Sequence, residues 1–304
     1  MKKKFLLTAF AAIAIPASAF AQTVKPAAAV AAALPAASPA MWVVKDEDTT
    51  IYMFGTFHLL DGKRDWFNGA VKSAFDASQE VVLEVKLPEN PAELQPLIMK
   101  YAVDPQGRTL SSKLTPEVKA KLDKELSTLG VPAKALEPLE PWFISMTLVQ
   151  VGAQKLGLKP EFGPETIITK AAKEKGKTVG ELETVESQIA LLDSLPEKAQ
   201  VIAIGETLEQ LEKMGETLTP MLNAWSSGDT DGLVKIMNKS MEKQPELKKV
   251  MLVDRNARWA DWIGRRMEKP GTVFMAVGAG HLAGSDSVQD FLAKKGFKAA
   301  KVGK

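Results

Sequence analysis

Two short apolar runs, one near each end of the chain, break at the same four-residue frame. "IYMFGTFHLL" carries Gly55-Thr56-Phe57-His58, "FMAVGAGHLAG" carries Gly278-Ala279-Gly280-His281, and these hold the two histidines of the 304-residue chain. A short apolar run bounded by turn-forming residues has the pattern of a buried strand. The glycine that follows permits a sharp turn or the close approach of a bound group. Between the two runs the pattern is mostly helical, from Asn90 to Lys269. The strands must therefore pair across a long insert. That demand selects an α/β fold with a mixed or parallel central sheet covered by helices and a large helical middle segment.

Local signals fill in this frame. Trp42 to Lys45, the polar turn Asp46 to Thr49 and Thr50 to Phe54 read as a hairpin. Helical spacing starts at Trp66, and Val81 to Val85 reads as a short buried strand. Thr115 followed by Pro116 caps a helix that closes on Gly130. Pro196 to Leu222 reads as one charged helical stretch, and the segment from Pro245 as another, ending before Pro270. A strand from Thr272 to Val277, a helix from Ser287 to Lys295 and a strand from Phe297 to Val302 complete the chain. Strands Thr50 to Phe54, Val81 to Val85 and Thr272 to Val277 are expected to be neighbours in one sheet. Each histidine loop is followed by a helix and then a strand, a loose internal repeat.

In open α/β sheets ligands gather at the carboxyl ends of the strands, and this is where both histidines are expected. Imidazole is the commonest metal ligand and the usual general base near neutral pH. Two ordinary loop histidines, each hydrogen-bonded locally, are the plain alternative. Glu84, at the end of "VVLEV", is expected to enter the same crevice. Two histidines and one carboxylate form a hydrolytic metal set that leaves positions open for water. The chain has no cysteine, which removes thiolate ligands, thiol nucleophiles and disulfides. It carries no Gly-x-Ser-x-Gly elbow and no phosphate-binding glycine loop. Arg255 suits a carboxylate or a developing oxyanion. Arg255, Asn256, Glu165, Glu183 and Gln188 are weaker candidates than the histidines and Glu84, with a helix surface or a cap as the bland alternative for each. Neither histidine is expected to fill the core.

The first 21 residues have a basic start, an apolar middle and Ala19-Phe20-Ala21 at the end, which predicts a signal peptide cut before Gln22. Its apolar stretch, Phe5 to Ile15, is shorter than the roughly 20 residues that cross a bilayer. Residues 22–41 read as an Ala/Pro-rich linker, and 42–304 as one domain. The formal net charge of +2 becomes −1 once the three lysines of residues 1–21 are removed. That balance gives no basic excess for nucleic acid. The expected location is periplasmic or secreted, with no transmembrane segment after cleavage.

Several stretches carry a family resemblance. "WVVKDEDTTIYMFGTFHLL", "VVLEV", "FGPETIITKAAKEKGKTVGELETVESQIALL", "DRNARWADWI" and "FMAVGAGHLAGSDSVQDFLAKKGFKAAKV" together resemble the TraB/GumN family, which includes the pheromone-shutdown proteins and is related to the Tiki metalloproteases. The resemblance runs in order from Trp42 to Val302. It implies an α/β fold like that of the ChaN-like and erythromycin-esterase-like proteins, and a divalent-metal hydrolase. In Tiki proteins the Gly-x-x-His motifs and a glutamate serve metal-dependent cleavage of peptides near their N-termini. Onto this chain the resemblance carries His58, Glu84 and His281 as metal ligands. Arg255 and Asn256 match a frequent Arg-Asn pair. Many relatives have Gly-Ile/Val-Asp where this chain has Gly163-Pro164-Glu165. The resulting expectation is a peptidase for peptides or protein termini, using Mn, Co or Zn, with catalytic parts for Glu84, Arg255 and Asn256. A non-catalytic protein that binds a peptide signal and a metal-independent, esterase-like hydrolase are the alternatives.

Overall fold

A computed structural model describes residues 35–241 and 245–303. The expected signal segment and most of the linker lie outside the described residues. What is described of the linker packs against the domain: Ala37 N–H donates to the Asp65 carbonyl and Ser38 N–H to the Ser226 carbonyl, both at 2.8 Å. Packing contacts thus reach back before Trp42.

The chain begins with strands β1 (Met41–Lys45) and β2 (Thr49–Thr56), then helix α1 (Gly69–Ala77) and strand β3 (Glu80–Leu83). The insert follows as helices α2 (Leu94–Ala102), α3 (Leu110–Lys113), α4 (Pro116–Leu129), α5 (Pro141–Lys155) and α6 (Pro164–Glu174). It continues with strand β4 (Thr178–Glu181) and helices α7 (Val185–Asp193), α8 (Glu197–Gln210), α9 (Met214–Ser226), α10 (Thr230–Met241), α11 (Pro245–Lys248) and α12 (Asp254–Arg266). Strand β5 (Gly271–Gly278), helix α13 (Val288–Lys294) and strand β6 (Ala300–Lys301) end it.

The strands form one six-stranded sheet in the order β4-β3-β5-β2-β1-β6. β1 runs antiparallel to β2 and to β6, while β2–β5, β5–β3 and β3–β4 are parallel. The sheet is therefore mixed, and the three strands expected to be neighbours are neighbours. The two halves of the chain meet at its centre, where β2 pairs with β5 along eight residues, from Thr49↔Gly271 to Thr56↔Gly278.

Alternation along the strands makes two cores. Along β5, Phe274 and Ala276 point to one face, and Val273, Met275 and Val277 to the other. The first face is covered by α1 through Val71, Ala74 and Phe75, by α6 through Ile168 and by α9 through Leu222 and Trp225. The second is covered by α12 through Trp259 and Ile263, and by α13 through Val288 and Leu292. The connection through α1 carries the chain from β2 past β5 to β3. The connection through α13 carries it from β5 past β2 and β1 to β6. Crossovers of one hand that leave in opposite directions must cover opposite faces, so the loose repeat becomes two helices on two sides of the sheet.

The insert also builds a core of its own, with Ile98, Leu122, Leu126, Trp142, Ile144, Ile189 and Ile204 packed together. Local boundaries differ from expectation in several places, and β3 ends at Leu83 rather than Val85. The first helix starts at Gly69, because Trp66 stacks on Phe54 with centroids 5.5 Å apart. The stretch 196–222 is not one helix: it breaks at a 3-10 turn, Leu211–Lys213, where Leu211 is buried in the first core. The helix before Pro270 contains a π-helical turn at Lys249–Val253. The last strand is only Ala300–Lys301, since Phe297 leaves the sheet edge and packs on the second core.

Candidate functional site

β2 and β5 are adjacent parallel strands whose onward connections leave in opposite directions, the arrangement that opens a crevice at the strands' carboxyl ends. Both Gly-x-x-His frames begin there. In register, Thr56 lies opposite Gly278, so the two histidines emerge from neighbouring strand ends. Glu84 follows the last residue of β3, on the other side of β5. Gly278 N–H donates to Glu84 Oε1 at 2.6 Å. A β-carbon placed on Gly278 would stand 3.1 Å from Glu84 Oε1, 3.3 Å from His58 Nε2 and 3.6 Å from His281 Cδ2. The three expected ligands therefore converge on one point, and the glycine is what leaves that point free.

Each imidazole has one nitrogen tied back. His58 Nδ1 lies 2.6 Å from Glu165 Oε1, which leaves Nε2 towards Gly278. Glu165 reaches it because α6 docks directly on the histidine loop: a β-carbon on Gly163 would lie 2.1 Å from the His58 carbonyl oxygen. Only glycine admits so close a backbone approach. His281 Nδ1 lies 2.5 Å from Asn256 Oδ1, and Asn256 Nδ2 donates to the Asp286 carbonyl at 2.7 Å. Because the amide nitrogen is committed to a carbonyl, the amide oxygen is the acceptor and His281 carries its proton on Nδ1. Its Nε2 is then the lone-pair nitrogen.

Arg255 ties the cluster together. Its Nε donates to both Glu183 oxygens at 3.0 Å, and its Nη2 to Glu84 Oε2 and Glu183 Oε2 at 2.8 Å. Its Nη1 donates to the Met251 carbonyl in the π turn and to His281 Nε2, both at 3.1 Å. A guanidinium has five N–H donors, so none is left for a substrate oxyanion as Arg255 stands. Gln188 Nε2 donates to Glu183 at 3.0 Å and lies 3.4 Å from Glu84.

The electrostatics separate the two histidines. Burial pushes His58 down, but the charge and hydrogen bond of Glu165, with the charge of Glu84, outweigh it and raise its pKa to about 9. Burial, reinforced by the charge of Arg255, pushes His281 down to about 3. Burial would raise Glu84, but the Arg255 guanidinium beside it brings it down to about 2. At neutral pH the site thus holds a cationic His58, a neutral His281 and an ionised Glu84.

The donor chemistry fits a divalent ion. Two imidazoles, each with its other nitrogen on an acceptor, and an ionised carboxylate are the atoms such an ion selects. His281 Nε2 and Glu84 Oε1 stand 3.8 Å apart, within the span of two bonds of about 2.1 Å. Among the described residues no group of three or more His, Cys, Asp and Glu side chains is placed so as to hold an ion as it stands. Arg255 caps His281 Nε2, and binding there requires it to give way.

The structure brings His58, Glu84, Glu165, Glu183, Gln188, Arg255, Asn256 and His281 together. Arg255 and Asn256 are buried, at 4 % and 2 % exposure, and are not helix-surface residues. His281, at 5 %, is a buried residue under Trp259, whose ring centroid is 4.3 Å away. The expectation that neither histidine fills the core therefore fails for His281. Sequence reasoning missed Trp259, which also donates to Glu183 at 3.2 Å and lies 4.8 Å from the Arg255 guanidinium. Its i+4 spacing from Arg255 on one helix was the available signal. It also missed Asp286, whose backbone at φ 61° presents the carbonyl that Asn256 uses.

The model of the TraB/PrgY/gumN family matches residues 40–301. The "Uncharacterized protein YbaP" of Escherichia coli (strain K12) is 29 % identical over 192 residues, 63 % of this chain and 71 % of that protein. The "Metalloprotease TIKI1" of Danio rerio is 22 % identical over 312 residues, 85 % of this chain and 62 % of that protein. The "Metalloprotease TIKI homolog" of Nematostella vectensis is 24 % identical over 314 residues, with shares of 84 % and 65 %. No solved structure matches the chain.

Proposed function

The chain belongs to the TraB/PrgY/gumN family, and we propose that it is an exported, divalent-metal-dependent hydrolase that cleaves peptides or protein termini. The observation that carries the reading is the convergence of Glu84 Oε1, His58 Nε2 and the His281 ring on one point beside Gly278. Two relatives named as metalloproteases support the same class of chemistry. His58, Glu84 and His281 would hold the ion, with Mn, Co or Zn suited to nitrogen and oxygen donors. When bound, such an ion polarises a carbonyl and makes water a nucleophile at neutral pH.

The protein's own groups do the rest. Glu165 fixes the His58 ring, and Asn256, held by the Asp286 carbonyl, fixes the tautomer of His281. Arg255 keeps Glu84 ionised in a buried setting. His58 Nε2 must lose its proton before it can bind an ion. In releasing His281, Arg255 would free the Nη1 donor that the substrate carbonyl or carboxylate needs. Export rests on the leader-like residues 1–21 and Ala19-Phe20-Ala21.

Elemental analysis of the protein purified from its own compartment, paired with a peptide-cleavage assay with and without chelator, tests the reading. Expected are about one divalent ion per chain and chelator-sensitive cleavage, both lost in His58→Ala. Metal-free protein that still cleaves, or a His58→Ala protein with full metal content, overturns it. A second reading, a binding protein for a peptide signal without turnover, is favoured by one observation: every donor of Arg255 is already engaged within the protein. Peptide binding with no cleavage at any metal load would select it.

A further inference from the structure

The polar cluster is the floor of a cavity whose walls are apolar. The walls are Met146 of α5, Leu192 of α7, Leu218 and Met221 of α9, Met237 of α10 and Met251 of the π turn. All six are buried. The helical insert therefore does more than cover the sheet: it builds a Met- and Leu-lined chamber, open on one side, over the strand ends. Its volume is about 100 Å³. A water needs about 10–15 Å³ of such space, so the volume would admit several, but a buried water needs two to four polar partners. The walls offer none; the polar atoms that face the space without a partner in the protein, Thr56 Oγ1 and His58 Nε2, lie at its floor. An apolar group suits such a space better than water does.

We infer that this chamber selects the substrate, taking the aliphatic side chain (leucine, isoleucine or methionine) of the residue beside the scissile bond. The inference rests on the hydrolase reading above. Its backbone amide would lie at the floor, near Gly278 and His58, and its side chain among the methionines. A charged side chain would be stripped of water with no partner, which is strongly unfavourable. The chamber is smaller than the roughly 150 Å³ apolar cavity that admits benzene, so an aromatic ring fits less well. Unbranched, polarizable methionine walls adapt to several aliphatic shapes. The expected selectivity is therefore broad among aliphatics and sharp against charge.

Two measurements on the full chain test this. The first is NMR of the protein labelled with ¹³C at the methionine methyls, titrated with N-acetyl-leucinamide, N-acetyl-phenylalaninamide and the anionic amide of N-acetyl-aspartic acid. Single Met→Leu changes assign the signals, since they conserve volume. The methyls of Met146, Met221, Met237 and Met251 should shift saturably with the leucine compound, less with the phenylalanine compound and not with the aspartate compound. The second is mass spectrometry of products from a peptide mixture cleaved in the presence of Mn. One position flanking the cleaved bond should favour leucine, isoleucine or methionine over aspartate or lysine by at least tenfold. Cleavage without preference and without methyl shifts overturns the chamber assignment and leaves the hydrolase reading intact. Saturable leucine-specific shifts without cleavage at any metal load support the chamber and overturn the hydrolase reading. Neither shifts nor cleavage overturns both.

Discussion

Arg255 Nη1 donates to His281 Nε2 across 3.1 Å, so the nitrogen that an ion would need is held by a cation of the protein's own. The same guanidinium lies between Glu84 and Glu183, with side-chain exposures of 5 %, 6 % and 7 % for the three residues. Removing one partner of a buried charge pair leaves the other uncompensated, at a cost of about 3–5 kcal/mol. Arg255→Met should therefore destabilise the protein by about that amount and lower its melting temperature by roughly 10 °C. Adding Glu183→Gln should recover part of the loss, because it removes one stranded charge. Urea unfolding of the single and double variants checks this, and a single-variant loss under about 1 kcal/mol would show that Arg255 is not the hub described.

Glu165 meets the candidate site through His58, at 2.6 Å. Partners that orient a metal-binding histidine are worth about 10–100-fold in metal affinity. Glu165→Ala should weaken Mn or Zn binding by that factor, and because Glu165 is what raises His58, it should also lower the unfolding midpoint at neutral pH. Glu165→Gln keeps an acceptor for Nδ1 and should bind within a few-fold of the parent. Equal metal affinity in all three proteins, measured by competition with a chelating dye, would remove Glu165 from the site.

The acid limb of stability has a separate source. Asp104 and Lys113 pair with side chains 0 % and 1 % exposed, and Lys113 also meets Glu140 at 2.6 Å. Burial would raise the Asp104 carboxyl, but hydrogen bonds from Lys113, the Gln106 and Arg108 backbone and the Arg108 side chain hold it well below the usual carboxylate range. A depressed folded-state pKa contributes stability that is complete above the unfolded value of about 3.9 and is lost as pH falls below it. Asp104→Asn should thus be less stable than the parent at pH 7, and the gap should narrow between about pH 4 and pH 2. A gap of constant size across that range in urea titrations would assign the acid limb elsewhere.

What the sequence disclosed follows from how local each signal is. The Gly-x-x-His frames, the strand-end position of Glu84 and the pairing of strands across the insert are set by apolar runs and glycines a few residues long, and the sheet has that order. Arg255 and Asn256 were visible as residues but not as buried ones, because their burial depends on Trp259 and on α12 lying against the second face. Glu165 stands where many relatives of the resembled family have the shorter aspartate, and its sequence position alone does not show a role. Its reach to His58 depends on the contact between Gly163 and the His58 carbonyl, which joins segments about a hundred residues apart. The break at Leu211–Lys213 and the π turn at Lys249–Val253 carry no local signal, since both are fixed by what packs against them.

The most selective test of the site is a single methyl group. Gly278 has φ −51° and ψ 132°, a conformation open to alanine, so Gly278→Ala introduces no backbone strain. Its new β-carbon would lie 3.1 Å from Glu84 Oε1, 3.3 Å from His58 Nε2 and 3.6 Å from His281 Cδ2. These contacts are close, but side-chain atoms on three sides can yield by a few tenths of an ångström. The fold should survive, with a stability loss of about 1–3 kcal/mol, typical of overpacking. The space on which the three donors converge, however, would be filled with carbon. Metal retention should fall at least tenfold, and any chelator-sensitive cleavage with it, while circular dichroism and the cooperativity of unfolding stay as in the parent. Elemental analysis of Gly278→Ala beside the parent decides the matter. A folded variant with full metal content would mean that the ion, if the protein holds one, is bound away from His58, Glu84 and His281.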